Sequence, residues 1–255
     1  MFFLISLKNI EDYPLKIKFV AVEPKWLEMQ PPPKPASLYK PDWYKDTPLY
    51  SPGNKFQFTE ENKNMTFKKC LPFIDGINAG YILETRKDIF VQSNSTDDSN
   101  NFDLVWNSDE LVVGIHHSNT RLMQPPEGYH SQVVTYIWNY IVKTPKGYST
   151  LFCEPFAYPN GVFKAIPAVV DTDAKALNFH LSLHFKKGFT GVIPKGTPIV
   201  QMIPFKRDNW KHEVSTLKLG EHEIMQETTF NATIFNNYRN LTWSKKDYKW
   251  MYILS

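Results

Sequence analysis

Residues 177–185, Leu-Asn-Phe-His-Leu-Ser-Leu-His-Phe, alternate apolar and polar without a break. A period of two sends successive side chains to opposite faces, a pattern no helix satisfies. Leu177, Phe179, Leu181, Leu183 and Phe185 therefore take one face of a strand, and Asn178, His180, Ser182 and His184 the other. Two more strands follow, around 189–193 and 198–203, joined by Pro194-Lys-Gly196. Near the other end, Leu15, Ile17 and Phe19 alternate with Lys16 and Lys18, the mark of a half-buried strand. The β-branched and aromatic stretch 133–142 reads as a strand that forms a hairpin with 149–152 through Pro145-Lys-Gly147. Residues 56–92 also read as strands, around a turn-like Asp75 to Gly80, with further strands at 102–106 and 110–116 and a polar loop over 92–101.

Two regions break the period. Residues 24–52 hold eight of the 19 prolines, and proline cannot donate to a strand ladder. This stretch reads as an extended arm with polyproline character, punctuated by Trp26, Tyr39, Trp43 and Tyr44. Those rings either pin the arm to its own body or reach a neighbouring subunit. Past residue 220, Phe230, Ile234, Tyr238 and Leu241 fit a helical face, which predicts a C-terminal helical segment over 226–250, broken near Thr242. No linker divides the chain. The expectation is one domain over 1–255, mainly β, a sandwich or barrel-like fold of β-clip or jelly-roll type.

With 42% apolar and 22% charged residues the chain can bury a sizeable core. A net charge of +3 is too mild for a nucleic-acid surface, so no specific nucleic-acid partner is expected. No apolar run reaches the roughly 18 residues of a membrane span. Met1 to Leu7 is apolar but lacks a basic start and a small-residue cleavage site, so it reads as a strand rather than a signal peptide. The two cysteines, Cys70 and Cys153, form no disulfide framework and fit a reducing compartment. Both open a similar tetrapeptide, Cys70-Leu-Pro-Phe73 and Cys153-Glu-Pro-Phe156. They are either buried thiols at strand ends or related half-motifs.

Histidine supplies the first candidate site. His180 and His184 share a strand face, His116 and His117 end another strand, and His130 precedes a third. Imidazoles converging from neighbouring strands bind divalent metals, which makes His116, His130, His180 and His184 candidate ligands. Positions i and i+4 on a strand lie roughly 13 Å apart, so His180 and His184 cannot share one ion unless the strand bends. Hydrogen-bonded, partly exposed histidines are the simpler alternative. Tyr136, Trp138 and Tyr140 alternate on one strand and read as core or interface.

A second candidate lies in Val169-Val-Asp-Thr-Asp173, followed by the alternating strand and then Gly196, Ile199 and Gln201. This order resembles the C-terminal half of trimeric dUTP pyrophosphatases and dCTP deaminases. The resemblance implies a nucleotide-handling enzyme with Asp171 as the catalytic aspartate, Asp173 beside it, and Gly196, Ile199 and Gln201 as scaffold. The Arg-Ser-Ser phosphate segment of those enzymes has no counterpart, and the corresponding place reads Phe152-Cys-Glu-Pro155. Over most of residues 24–250, the order Pro24-Lys-Trp26, Pro41-Asp-Trp43, Lys69 to Asp75, Asn78 to Tyr81, Thr144 to Ser149, Val170 to Asp173 and Ile203 to Arg207 resembles an uncharacterised protein family of tailed marine-type phages. That resemblance implies little chemistry and places the protein in the host cytoplasm or the virion; the aromatic-rich proline arm, the β content and the lack of a complete catalytic set point to a virion or host-interaction protein, with a homo-oligomer or another phage or host protein as partner. Three function classes follow: a binding or structural protein, ranked first; a nucleotide-binding or hydrolysing enzyme; and a cupin-like metal-dependent oxygenase.

Overall fold

The computed structural model describes residues 16–50, 66–92, 113–115, 124–174, 179–234 and 238–244. The first strand, β1 (Lys18–Ala21), alternates exposed and half-buried positions as its sequence demands, and Ile17, Phe19 and Ala21 lie against the core. The proline-rich stretch that follows is not an extended arm. It folds into two short helices, α1 (Lys25–Met29) and α2 (Asp42–Asp46), with β2 (Lys34–Pro35) between them. Pro24 and Pro41 immediately precede the helices, where the first turn needs no intrahelical amide donor, so proline starts these helices rather than preventing them. Gln30, fully buried, accepts hydrogen bonds at Oε1 from Arg86 Nη1 (3.4 Å) and the Asn139 amide (3.3 Å), and its carbonyl accepts from the Tyr140 hydroxyl (2.6 Å). Trp43 Nε1 donates to the Ala157 carbonyl at 3.1 Å. The rings of this stretch thus fasten it to its own body.

A second correction falls at residues 71–78, which the strand reading of 56–92 includes. They form α3 (Leu71–Asn78), with Pro72 in the first turn and Ile77 buried. Gly80, which ends it, has φ +69°, and a Cβ there would sit 1.9 Å from the Met202 carbonyl oxygen. Only glycine lets the chain pass that close to the strand beneath it.

The strands β3 (Tyr81–Glu84), β4 (Ile89–Gln92), β5 (Val113–Ile115), β6 (Tyr129–Tyr136), β7 (Tyr140–Lys143), β8 (Tyr148–Cys153), β9 (Phe163–Ala165), β10 (Ala168–Val170), β11 (Leu181–Lys186), β12 (Thr190–Ile193) and β13 (Pro198–Lys206) follow in order. All pairings are antiparallel. A five-stranded sheet runs β10-β8-β13-β3-β2, a four-stranded sheet runs β5-β6-β11-β9, and β1-β7 and β12-β4 are ribbons. None of these sheets closes into a barrel among the described residues, so of the two expected architectures the sandwich holds. Gln92 ends β4, while the rest of the loop, 93–101, and the strand at 102–106 lie outside the described residues, as does most of 110–116.

The expected hairpin through Pro145-Lys-Gly147 does not form. β7 pairs with β1, whereas β8 pairs with β10 and β13. The turn, with Gly147 at φ +88°, carries the chain from one sheet to another. One contiguous core joins all the sheets, with Tyr136, Trp138, Tyr140 and Phe185 fully buried. On β11, Leu181, Leu183 and Phe185 enter it as the alternation requires. The C-terminal helix begins earlier than expected, as α4 (Glu221–Ile234), followed by α5 (Tyr238–Leu241). The second helix ends beside Thr242 as expected, and residues 235–237 and 245–250 are outside the described residues. Phe230 and Leu241 are about half exposed, so the helical face is not buried within the chain. Among the described residues no helix is long and apolar enough to cross a membrane.

Candidate functional site

β11 places His184 opposite Val133 of β6 and Lys164 of β9. Opposite residues on adjacent strands share a face, so His184 and Lys164 stand side by side. The polar side of β11 is not open to solvent here, because only 2% of His184 is exposed. It is roofed by a corner at which the chain leaves β9, passes Ile166 and Pro167, and joins the other sheet as β10. Beneath this corner lies a cleft of about 820 Å3, lined by His184, Lys164, Cys153, Glu154, Phe156 and five prolines at 125, 126, 155, 159 and 167. That volume falls in the range of about 300–1,000 Å3 usual for small-molecule sites. Proline φ is fixed, so walls of this kind are stiff before anything binds.

The ring of His184 has a defined polarity. Its Nδ1 lies 3.0 Å from the His130 carbonyl oxygen, which can only accept, so Nδ1 carries the proton. In the neutral ring Nε2 is then a bare acceptor, and it has no hydrogen-bond partner among the described residues. Burial lowers the pKa of His184 from its ordinary 6.5, opposed by the bond to His130, so the ring is neutral at pH 7. Cys153 ends β8, and its Sγ donates to the Gln201 carbonyl at 3.8 Å. Burial first, then the Glu154 carboxylate, push its thiol up to about 11, which makes it a poor nucleophile at neutral pH.

Gln201 braces the Phe156 wall from behind. It is 1% exposed; its Oε1 accepts from the Phe156 amide at 3.1 Å, and its Nε2 donates to the carbonyls of Ala79 (2.7 Å) and Gly76 (3.0 Å). One buried amide thus holds β13, the end of α3 and the Phe156 wall together.

The histidines expected to converge are only partly brought together. His130 and His184 meet through a backbone carbonyl, His180 is exposed just before β11, and His116 and His117 lie outside the described residues. No group of three His, Cys, Asp or Glu side chains able to hold a metal ion occurs among the described residues.

Asp171 and Asp173 do meet, around Arg207. Arg207 Nη1 and Nη2 straddle the Asp173 carboxylate at 2.9 and 2.5 Å, and Nη1 also donates to Asp171 Oδ1 at 3.1 Å. Asp173 further accepts from the Gly147 amide at 2.7 Å, and Asp171 from Ser149 Oγ at 2.6 Å. Arg207, and then the Gly147 amide, hold the Asp173 carboxyl below its ordinary 3.8. Between them Thr172 Oγ1 is bonded to Thr144 (2.7 Å) and Thr150 (2.9 Å). The motif therefore staples the loop after β10 to the ends of β8 and β13. Sequence reasoning did not single out Lys164 or the proline walls. The one visible signal was Cys153-Glu-Pro-Phe156, which forms a wall of the cleft.

No protein-family model matches the chain, and no curated protein matches it.

Proposed function

We propose that the protein is a binding protein, and that the cleft under the β9–β10 corner takes a small organic ring compound bearing an N–H or O–H donor. The observation that carries this reading is the donor-less Nε2 of His184, its tautomer set by His130, on a ring that lines a proline-walled cleft; the atom itself is buried, so a ligand reaches it by turning a side chain of the wall aside. A buried acceptor left without a donor costs about 1–3 kcal/mol, and a ligand that supplies the donor recovers it. Phe156 and the prolines offer the apolar walls, and Lys164 and Glu154 add charge of both signs.

Paired compounds test the donor directly. Indole and uracil are compared with N-methylindole and 1,3-dimethyluracil by thermal shift, since a ligand of the folded state raises the melting temperature by mass action. The expected result is stabilisation by an N–H compound, loss of that stabilisation on methylation, and its absence in His184→Phe. Side-chain 15N spectra of His184 provide a second readout, with a shift at Nε2 on binding. Equal stabilisation by the methylated partner, or binding that leaves Nε2 unmoved, overturns the reading. So does a panel of ring donors in which none stabilises the protein.

A further inference from the structure

Of the residues that line the cleft under the β9–β10 corner, only Lys164 and Glu154 carry a charge, because His184 is neutral and the Cys153 thiol is protonated. The two charges come from different sheets. Lys164 lies on β9 of the four-stranded sheet, and Glu154 directly follows β8 of the five-stranded one. They do not pair with each other. Lys164 Nζ stands over the Tyr129 ring, 5.5 Å from its centre, and neither side chain makes a hydrogen bond or an ion pair among the described residues. Both backbones are held in place. Lys164 is fixed opposite His184 in the β9–β11 ladder, and Glu154 precedes the buried Pro155, which restricts the residue ahead of it. Both residues are half-buried, so each charge has given up part of its hydration without gaining a partner, yet a ligand entering the cleft reaches both.

We infer that the ligand of this cleft is a zwitterion, a free aromatic amino acid whose carboxylate meets Lys164 and whose ammonium meets Glu154. This rests on the reading above that the cleft takes a small ring compound. A neutral ring leaves both charges unpaired. An acid or an amine alone pairs one and strands the other. A molecule carrying both signs satisfies Lys164 and Glu154 together through charge-assisted hydrogen bonds, while Phe156 and the prolines cover its ring.

Calorimetric titration of the full chain compares L-tryptophan with tryptamine, which lacks the carboxylate, with indole-3-propionate, which lacks the ammonium, and with indole, which lacks both. L-Tryptophan is expected to bind tightest, and removing either charge weakens binding about tenfold or more. Lys164→Gln abolishes the preference over tryptamine, and Glu154→Gln abolishes the preference over indole-3-propionate. Each variant keeps the other preference, a pattern that a misfolded chain does not give. L-Phenylalanine separates this inference from the reading it rests on. If it binds as tightly as L-tryptophan, the zwitterion stands and the ring donor to His184 falls. If indole binds as tightly as L-tryptophan, the zwitterion falls and the donor to His184 stands. Tryptamine or indole-3-propionate binding as tightly as L-tryptophan, preferences that survive both substitutions, or no binding by either amino acid each overturns the inference as well.

Discussion

Replacing Gln201 by leucine keeps the buried volume and removes all three of its side-chain hydrogen bonds. The Gly76 carbonyl retains another donor, the Ala79 amide at 3.2 Å. The Phe156 amide and the Ala79 carbonyl lose the side-chain partner that Gln201 gave them. Each orphaned buried group costs about 1–3 kcal/mol, and both sites are only partly buried, so about 2–3 kcal/mol is expected in all. For a chain of this size that corresponds to a melting point lower by about 4–12 °C. Urea unfolding followed by tryptophan fluorescence reads the change as a lower midpoint at unchanged slope. Gln201→Glu sharpens the test. Its carboxylate still accepts from Phe156 but turns an oxygen toward the Ala79 and Gly76 carbonyls. Its folded-state pKa must then rise above the unfolded value of about 4.3. Stability is closest to wild type below that pH and falls as pH rises toward the folded value. A loss under about 1 kcal/mol for leucine, or a glutamate variant without this pH slope, refutes the role given to Gln201.

Gly80→Ala drives a Cβ into the Met202 carbonyl and is expected to lose several times the stability lost by Gly128→Ala, whose site has φ +79° but nothing within 4 Å and costs about 1–2 kcal/mol; equal losses by chemical denaturation refute the close approach. His184 binds a proton less readily folded than unfolded, so wild-type stability falls as pH drops below 6.5, and His184→Phe flattens that slope. A slope unchanged in the variant assigns it to other groups. Asp173 has a depressed pKa, so its contribution is present above 3.8 and lost as pH falls through the folded value; Asp173→Asn is less stable than wild type at pH 7, and the gap closes in acid. A gap constant with pH removes the ion pair as its cause.

Period-two patterning located the strands of the second half because those strands bury one face and little else competes. It could not say which strands pair. Val133 to Val142 reads as one strand, yet the chain breaks at Ile137 to Asn139 to bury Trp138, whose Nε1 donates to the Phe179 carbonyl at 2.6 Å. That break moves β7 to another sheet and undoes the hairpin. Proline misled in the opposite sense. Its exclusion from central strands holds only in part: Pro35 sits in β2 at a sheet edge, whereas Pro204 lies in the central β13, past Met202 where the pairing with β3 ends, and proline also starts α1, α2 and α3. Composition alone does not separate an extended proline segment from a chain of short proline-started helices.

The site was less legible than the fold, for a physical reason that His184 illustrates. Its place on the polar face of β11 predicts solvent exposure, and a strand pattern carries no information about what crosses above that face. The β9–β10 corner does so, and its lining comes from stretches around residues 125, 155 and 165 that meet only after both sheets are packed. Burial then does what sequence spacing could not. It removes the charge from His184, raises the pKa of the Cys153 thiol, and leaves Nε2 without a donor. The Asp171–Asp173 pair shows the converse. Its resemblance to a nucleotide-enzyme motif implied a catalytic aspartate, and Arg207, 34 residues beyond Asp173, ties both carboxylates to the end of β13. Distant residues decide the chemistry in both cases, so the donor-methylation experiment on the cleft distinguishes binding from packing more directly than mutation of any motif visible in the sequence.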